Sequence, residues 1–206
     1  MIKQKRKFLC ALSVLLFVGA GCASTPEEKT SDLTISFDEK SVPDINNATT
    51  IWKFPGVLAP EQIEKKQIRI KTVKGDIVFE LFPVTAPKTV SNFVYLTQSG
   101  FYNGLTFHRR EEGFVIQGGD PKGNGTGGPG YKFEDELKDP YTYTRGIVAM
   151  ANSGSNTNGS QFFIMLGDTP LQKNYSIFGR VTEGMAIVDQ IKIGDIMTQV
   201  MVEDKK

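Results

Sequence analysis

Apolar and polar positions alternate with a period of two from Gln67: Ile68, Ile70 and Thr72, then the Lys74-Gly75-Asp76 triplet, then Ile77, Phe79 and Leu81. Successive strand side chains point to opposite faces, so this pattern predicts a hairpin with one face buried and a turn at Lys74-Gly75-Asp76. Pro83 ends it. The period then lengthens, with Val90, Phe93, Val94 and Leu96 at helical spacing. Pro87 suits the first turn of that helix, Thr85 offers a cap, and Gly100 offers a stop. Further strands are predicted in LTFHR (105–109), GFVIQGG (113–119), GIVAMA (146–151) and SQFFIML (160–166), with long glycine-rich loops between them. A final strand pair is predicted in YSIFGRV (175–181) and the tail from Met197, with a second, short helix over 185–193. Many short antiparallel strands and two helices predict a barrel or sandwich.

The first 66 residues have a different pattern. KQKRK is followed by an apolar run, FLCALSVLLFVGA, and then by Gly21-Cys22. That order is the basic, apolar and small-residue plan of a secretory signal, and the run falls short of the roughly 20 apolar residues a bilayer span needs. The end of the segment, VGAGCAS, resembles the bacterial lipobox at Ala20, Gly21 and Cys22, with Gly19 where Leu or Val is usual. Residues 1–21 are therefore expected to be a signal peptide cut before a lipidated Cys22. Residues 22–66 are expected to be a polar tether and N-terminal extension; Trp52 and Phe54 end the polar tract and offer an anchor, and the sequence leaves open whether residues 33–60 pack on the domain or stay mobile.

Charge narrows the classes. The chain has 24 basic and 23 acidic residues, and four of the basic ones, Lys3, Lys5, Arg6 and Lys7, lie in the signal. The remainder is mildly acidic and has no electrostatic reason to seek nucleic acid. The two cysteines are Cys10, inside the apolar run, and Cys22, so the body carries no disulfide and no thiol nucleophile. With His108 the only histidine, neither a zinc site nor any other metal or cofactor is expected. Residues 123–128, GNGTGG, satisfy G-x-G-x-x-G, but Pro129-Gly130 follow where a dinucleotide site would open a helix. Ser153, Ser155 and Ser160 lie in an Asn/Gly-rich stretch without the G-x-S-x-G of a hydrolase elbow.

What remains is an ordered set: FHR, GFVIQGGDPKGNGTGG, YKFEDE, MANSGSNTNGSQFFI and SIFGRVTEGM. Together these segments resemble the cyclophilin family of peptidyl-prolyl cis–trans isomerases, in its compact bacterial form, over residues 67–206. The resemblance implies an all-β fold, a closed eight-stranded antiparallel barrel capped by two α-helices. It implies catalysis by Arg109, with Gln117 and Phe114. Substrate is expected to meet Val115, Ala151, Asn152, Gln161, Phe163, Leu171 and Tyr175. Read without the motifs, Phe114, Val115, Phe163 and Leu171 fit barrel core better than a site. Gln117 is different, because an amide inside an apolar strand needs a polar partner, and Arg109 is the expected one.

The chain departs from the family pattern at several places, among them Val115 where many members have Met and Tyr175 where many eukaryotic members have His. Arg110, Glu111 and Glu112 fill a connection where apolar residues are usual, and Pro170 stands where many members carry a tryptophan that contacts cyclosporin. A cyclosporin-type ligand is thus expected to bind weakly. The expected partners are proline-containing polypeptides outside the cytoplasm, met by a monomer held at a membrane through Cys22 alone. The competing expectation is a proline-segment-binding holdase whose turnover is incidental.

Overall fold

The computed structural model describes residues 51–205. In chain order these hold α1 (Pro60–Ile63), β1 (Lys66–Thr72), β2 (Gly75–Leu81), α2 (Pro87–Gln98), β3 (Arg109–Glu111), β4 (Val115–Gly118), β5 (Ile147–Met150), β6 (Phe162–Met165), β7 (Ile177–Glu183), α3 (Met185–Val188) and β8 (Gln199–Asp204). The proposed signal, Cys22 and most of the polar tether lie outside the described residues. No described helix is long and apolar enough to cross a membrane.

The predicted hairpin forms one residue early. Thr72 pairs with Gly75, leaving Val73-Lys74 as the turn, and the Thr72 hydroxyl both accepts the Lys74 N–H and donates to the Gly75 carbonyl. All ladders are antiparallel, in one eight-stranded sheet ordered β3-β4-β6-β5-β7-β2-β1-β8. The predicted final pair does not exist as a pair: β7 runs beside β2 and β5, whereas β8 runs beside β1.

The sheet is mainly β and curled, but open rather than closed as expected, because β3 and β8 do not pair. Its margins meet through the segments that precede those strands. Met197 bonds Gly104 and Leu105, and Phe107 bonds Gly194 and Asp195, all at 2.8–2.9 Å. Only Thr106 and Ile196 reach bridge geometry. The expected LTFHR strand is accordingly displaced. Strand structure starts at Arg109 and takes in Arg110 and Glu111, which the sequence pattern had placed in a connection. Arg110 also crosses the seam, donating to the Ile191 carbonyl at 2.9 Å.

Two full capping helices are not found either. α2 has twelve residues, but α3 is a single turn rather than the expected 185–193, and α1 is another single turn. Helical bonding beyond Val188 gives way to tighter turns, and Asp195 takes the Lys192 N–H with its carboxylate. Thr85 does not cap α2; its hydroxyl turns to the Phe82 carbonyl. The cap comes from Glu136, whose carboxylate accepts the N–H groups of Lys88 and Thr89 and the Thr89 hydroxyl at 2.8–3.0 Å. An acid at a helix N-terminus satisfies orphan donors and complements the helix dipole. At the other end, Gly100 (φ 75°) lets the Phe101 N–H reach the Leu96 carbonyl at 2.9 Å, a Schellman closure.

Period two sorts the side chains into two apolar layers. Ile68, Ile70, Ile77 and Phe79 join Phe93 of α2 and Ile116, Val148, Phe162 and Phe178 on the helix-covered face. Phe93 stacks on Tyr102 with ring centres 4.6 Å apart and meets Phe162 edge-on at 5.3 Å. Their sequence neighbours Val115, Ile147, Ala149, Phe163, Met165 and Ile177 face the opposite way and form a second, smaller layer. The described part of the N-terminal extension packs on the helix side through Trp52 and Phe54. Trp52 meets Phe101 edge-on at 5.3 Å, and Phe54 stacks on Phe133 at 5.0 Å.

Candidate functional site

The register of β3 on β4 sets Arg109 opposite Gln117 and Glu111 opposite Val115. Alternate residues share a face, so Arg109, Glu111, Val115 and Gln117 all project on the side of the smaller apolar layer, while Arg110 goes to the seam. The Arg109 guanidinium is held at two corners: Nη1 donates to Gln117 Oε1 at 3.0 Å, and Nη2 donates to Glu111 Oε1 at 2.5 Å. Its carbon lies 5.9 Å from the Phe114 ring centre. Gln117 in turn donates to Gln161 Oε1 at 2.9 Å, and Gln161 donates to the carbonyls of Gly125 and Gly127 at 3.0 and 2.9 Å. The expected partnership of Arg109 and Gln117 is therefore present and extends two steps further.

Asp120 is the end of that chain. Its side chain is almost wholly buried and accepts the N–H groups of Lys122, Asn124 and Gly125. Burial pushes its pKa up, but these backbone donors, with that of Gly127, outweigh burial and hold it below the usual carboxylate value. A Cβ on Gly127 would lie 1.9 Å from Asp120 Oδ1, so only glycine lets the loop close this tightly around the acid.

Beside the polar chain lies the apolar wall. Phe163 (5% exposed) and Val115 (1% exposed) form its floor, brought together because Gln117 pairs with Phe163 in the β4–β6 ladder. Phe114, Ala151, Leu171 and Tyr175 pack around them, half-buried. Tyr175 meets Phe163 edge-on at 5.5 Å and is fixed by Tyr143, whose hydroxyl donates to the Tyr175 carbonyl and accepts its N–H. Asn152 sits at the end of β5. Its side chain donates to the Asn174 carbonyl at 2.8 Å, and its backbone N–H and C=O have no partner among the described residues. Gln117, Ala151, Asn152 and Gln161 also line an adjoining cleft of ≈ 630 Å³ with Tyr131 and Lys132.

Every expected site residue from Arg109 to Tyr175 thus borders one surface, while Cys22 lies outside the described residues. Glu111, Asp120 and Tyr143 were not singled out in the sequence. For Asp120 a signal existed: a lone acid entering a glycine-rich loop, with backbone donors two to five residues on. Among the described residues no cluster of His, Cys, Asp or Glu could hold a metal ion.

His108 sits next to Arg109 but takes no part in the chain. Both ring nitrogens are buried without a hydrogen-bond partner. Burial lowers its pKa, assisted by the Arg109 charge and opposed by Asp120 and Gln161. The neutral ring is therefore favoured further than the ordinary histidine value would make it. Turnover is expected to be flat from about pH 6 to 8, because the ring stands outside the hydrogen-bonded chain; a steep change in kcat/KM through ~6.5, the reference value for histidine, would make His108 a working group. Because the folded pKa is the lower one, the histidine contributes stability above its unfolded pKa, and that contribution is lost as pH falls toward the folded value.

Comparison with known proteins follows the same residues. Residues 67–205 match the family model described as cyclophilin type peptidyl-prolyl cis-trans isomerase/CLD. A peptidyl-prolyl cis-trans isomerase of Helicobacter pylori (strain ATCC 700392 / 26695) is 50% identical over 136 residues, covering 64% of this chain and 83% of that protein. Peptidyl-prolyl cis-trans isomerase B of Bacillus subtilis (strain 168) is 49% identical over 129 residues, covering 62% and 90%. A crystal structure of a Cryptosporidium parvum cyclophilin type isomerase superposes with TM-score 0.63 at 38% identity, over 67% of this chain and 97% of that one. A structure of that protein in the presence of the dipeptide ala-pro matches with TM-score 0.62.

Proposed function

The chain belongs to the cyclophilin-type peptidyl-prolyl cis–trans isomerases, and on that footing we propose that it works on proline-containing clients outside the cytoplasm, with Arg109 as its central catalytic group. The reaction is rotation about an X–Pro peptide bond. Its barrier of about 18–20 kcal/mol is the amide conjugation lost at the twisted geometry, and uncatalysed exchange takes tens to hundreds of seconds. Nothing is hydrolysed and no proton is transferred.

At the twist the proline nitrogen regains its lone pair and becomes an acceptor. A permanently charged donor beside it binds that state better than the planar one, which is what lowers a barrier. The observation that carries this role is the double hold on Arg109. With Nη1 on Gln117 and Nη2 on Glu111, the fork is set before substrate arrives, so little reorganisation is needed at the moment of rotation. Val115, Phe163 and Leu171 grip the proline ring, with Phe114 at the rim. Ala151 and the unpaired backbone of Asn152 hold the peptide. Gln117 and Gln161 aim the guanidinium. A cyclosporin-type ligand would find this wall without the tryptophan, Pro170 standing in its place.

The reading of location rests on the basic, apolar and Gly21-Cys22 order at the N-terminus. A lipid on Cys22 would tether the enzyme, through residues 23–50, where unfolded exported chains emerge. The test is fractionation of cells expressing the full chain. Wild type is expected in the membrane fraction and Cys22→Ala in the soluble one; equal partition of the two forms would remove the anchor from the proposal.

A further inference from the structure

We infer that Phe82 and Tyr141 form a second grip for unfolded polypeptide, continuous with the proline pocket but outside it, that takes an apolar side chain flanked by an acid. The inference rests on the isomerase reading of the pocket and adds a client-length requirement to it.

Phe82 follows β2 directly, and its N–H bonds the Phe178 carbonyl at 2.9 Å, so the ring stands at the far side of the sheet from Arg109. Tyr141 lies flat against it, with ring centres 4.3 Å apart and planes at 21°. Both rings are half-buried. They pack against the same apolar layer as Val115, Phe163 and Ile177, a layer through which the aromatic contacts Phe163–Tyr175 and Tyr175–Tyr143 also run. Rotation of an X–Pro bond needs nothing this far away. Half-open aromatic pairs continuous with a peptide site suit an extended ligand, because they offer large contact area at low side-chain entropy.

The charge beside the rings sets the partner's chemistry. The Arg180 guanidinium lies 6.0 Å over the Tyr141 ring. Arg180 is exposed and makes no ion pair among the described residues, while its ladder partner Glu80 is engaged by Lys205. A cation stacked on an aromatic face attracts both a further ring and a carboxylate. The occupant is thus an unfolded segment carrying Phe, Tyr or Leu next to Asp or Glu.

Sheet geometry sets the spacing. From β4, under the proline, to β2 the order is β4-β6-β5-β7-β2, four intervals of about 4.8 Å, or roughly 19 Å. Extended chain advances about 3.3 Å per residue, so the second side chain lies about six residues from the proline. A tetrapeptide cannot reach it.

The experiment uses the full chain and two substrate classes. One is an X–Pro tetrapeptide. The other is a set of long peptides with Phe-Asp or Ser-Ser placed six residues before or after the proline. In wild type, one placement of Phe-Asp is expected to lower KM about tenfold relative to Ser-Ser, a difference of about 1.4 kcal/mol. Tyr141→Ser and Arg180→Glu are expected to erase that difference while tetrapeptide turnover stays at the wild-type level. Equal KM for all long peptides in wild type would overturn the proposal without touching the isomerase reading. So would loss of tetrapeptide turnover in both variants at unchanged Tm, which would put the rings inside the proline pocket. A dimer in sedimentation that Tyr141→Ser dissociates would assign the surface to a second copy instead. Wild type inactive even on the tetrapeptide would remove the isomerase reading itself.

Discussion

Arg109→Ala is expected to lower kcat/KM on a short X–Pro peptide by about a hundredfold, with KM changed little. The guanidinium supplies a charge-assisted hydrogen bond worth about 1.5–3 kcal/mol, and each ~1.4 kcal/mol is a decade of rate. The apolar wall, including Phe163 and Val115, is left intact, so ground-state binding of the proline ring survives; the loss falls on the step in which the nitrogen becomes an acceptor. Arg109→Lys is expected to recover little, because a single ammonium cannot occupy both corners now held by Gln117 and Glu111. A proline-isomerisation assay with both variants decides it, and an Arg109→Ala enzyme as fast as wild type would exclude the proposed role. If that variant loses turnover yet still supports growth where the protein is needed, binding of client segments is its cellular task.

Asp120→Ala is expected to strike both stability and rate. Three N–H groups lose a buried charged acceptor, which costs roughly 3 kcal/mol for charge-assisted bonds left unmade. At about 2–4 °C per kcal/mol for a domain of this size, Tm should fall by about 6–12 °C. The loop carbonyls of Gly125 and Gly127 also orient Gln161, and through it Gln117 and Arg109. Loosening that chain should cost roughly tenfold in kcat, since misplacement far from the reacting bond degrades orientation. The pH dependence separates the two contributions. The folded pKa of Asp120 is depressed, so its stabilisation is complete above the unfolded value of about 3.9 and is lost as pH falls through the folded one. Asp120→Ala should lack that acid limb; thermal melts of both proteins between about pH 2 and 6 provide the comparison.

The parts of the fold written in local pattern were legible. Alternation gave away β1 and β2, and the motif order gave the positions of Phe114, Val115, Ala151 and Phe163 on the apolar wall. What escaped was set by residues far apart. The α2 cap comes from Glu136 across a 47-residue gap, so Thr85, the local candidate, was the natural but wrong choice. Leu105 and Phe107 suggested a strand because they are apolar, yet Phe107 is spent on the helix-side layer while the polar Arg109–Glu111 carries the ladder. Family likeness suggested a closed barrel; closure fails in ladder terms because the margins meet through turns, which no periodicity records. Glu111 looked like loop charge, and only the β3–β4 register puts it on the side of Arg109.

The pairing of β8 with β1 constrains how the chain can be made. Lys66 and Asp204 are partners across 138 residues, so the first strand to leave the ribosome waits for the last. Such non-local pairing makes folding slow and leaves one edge of β1 without its partner until β8 has been made.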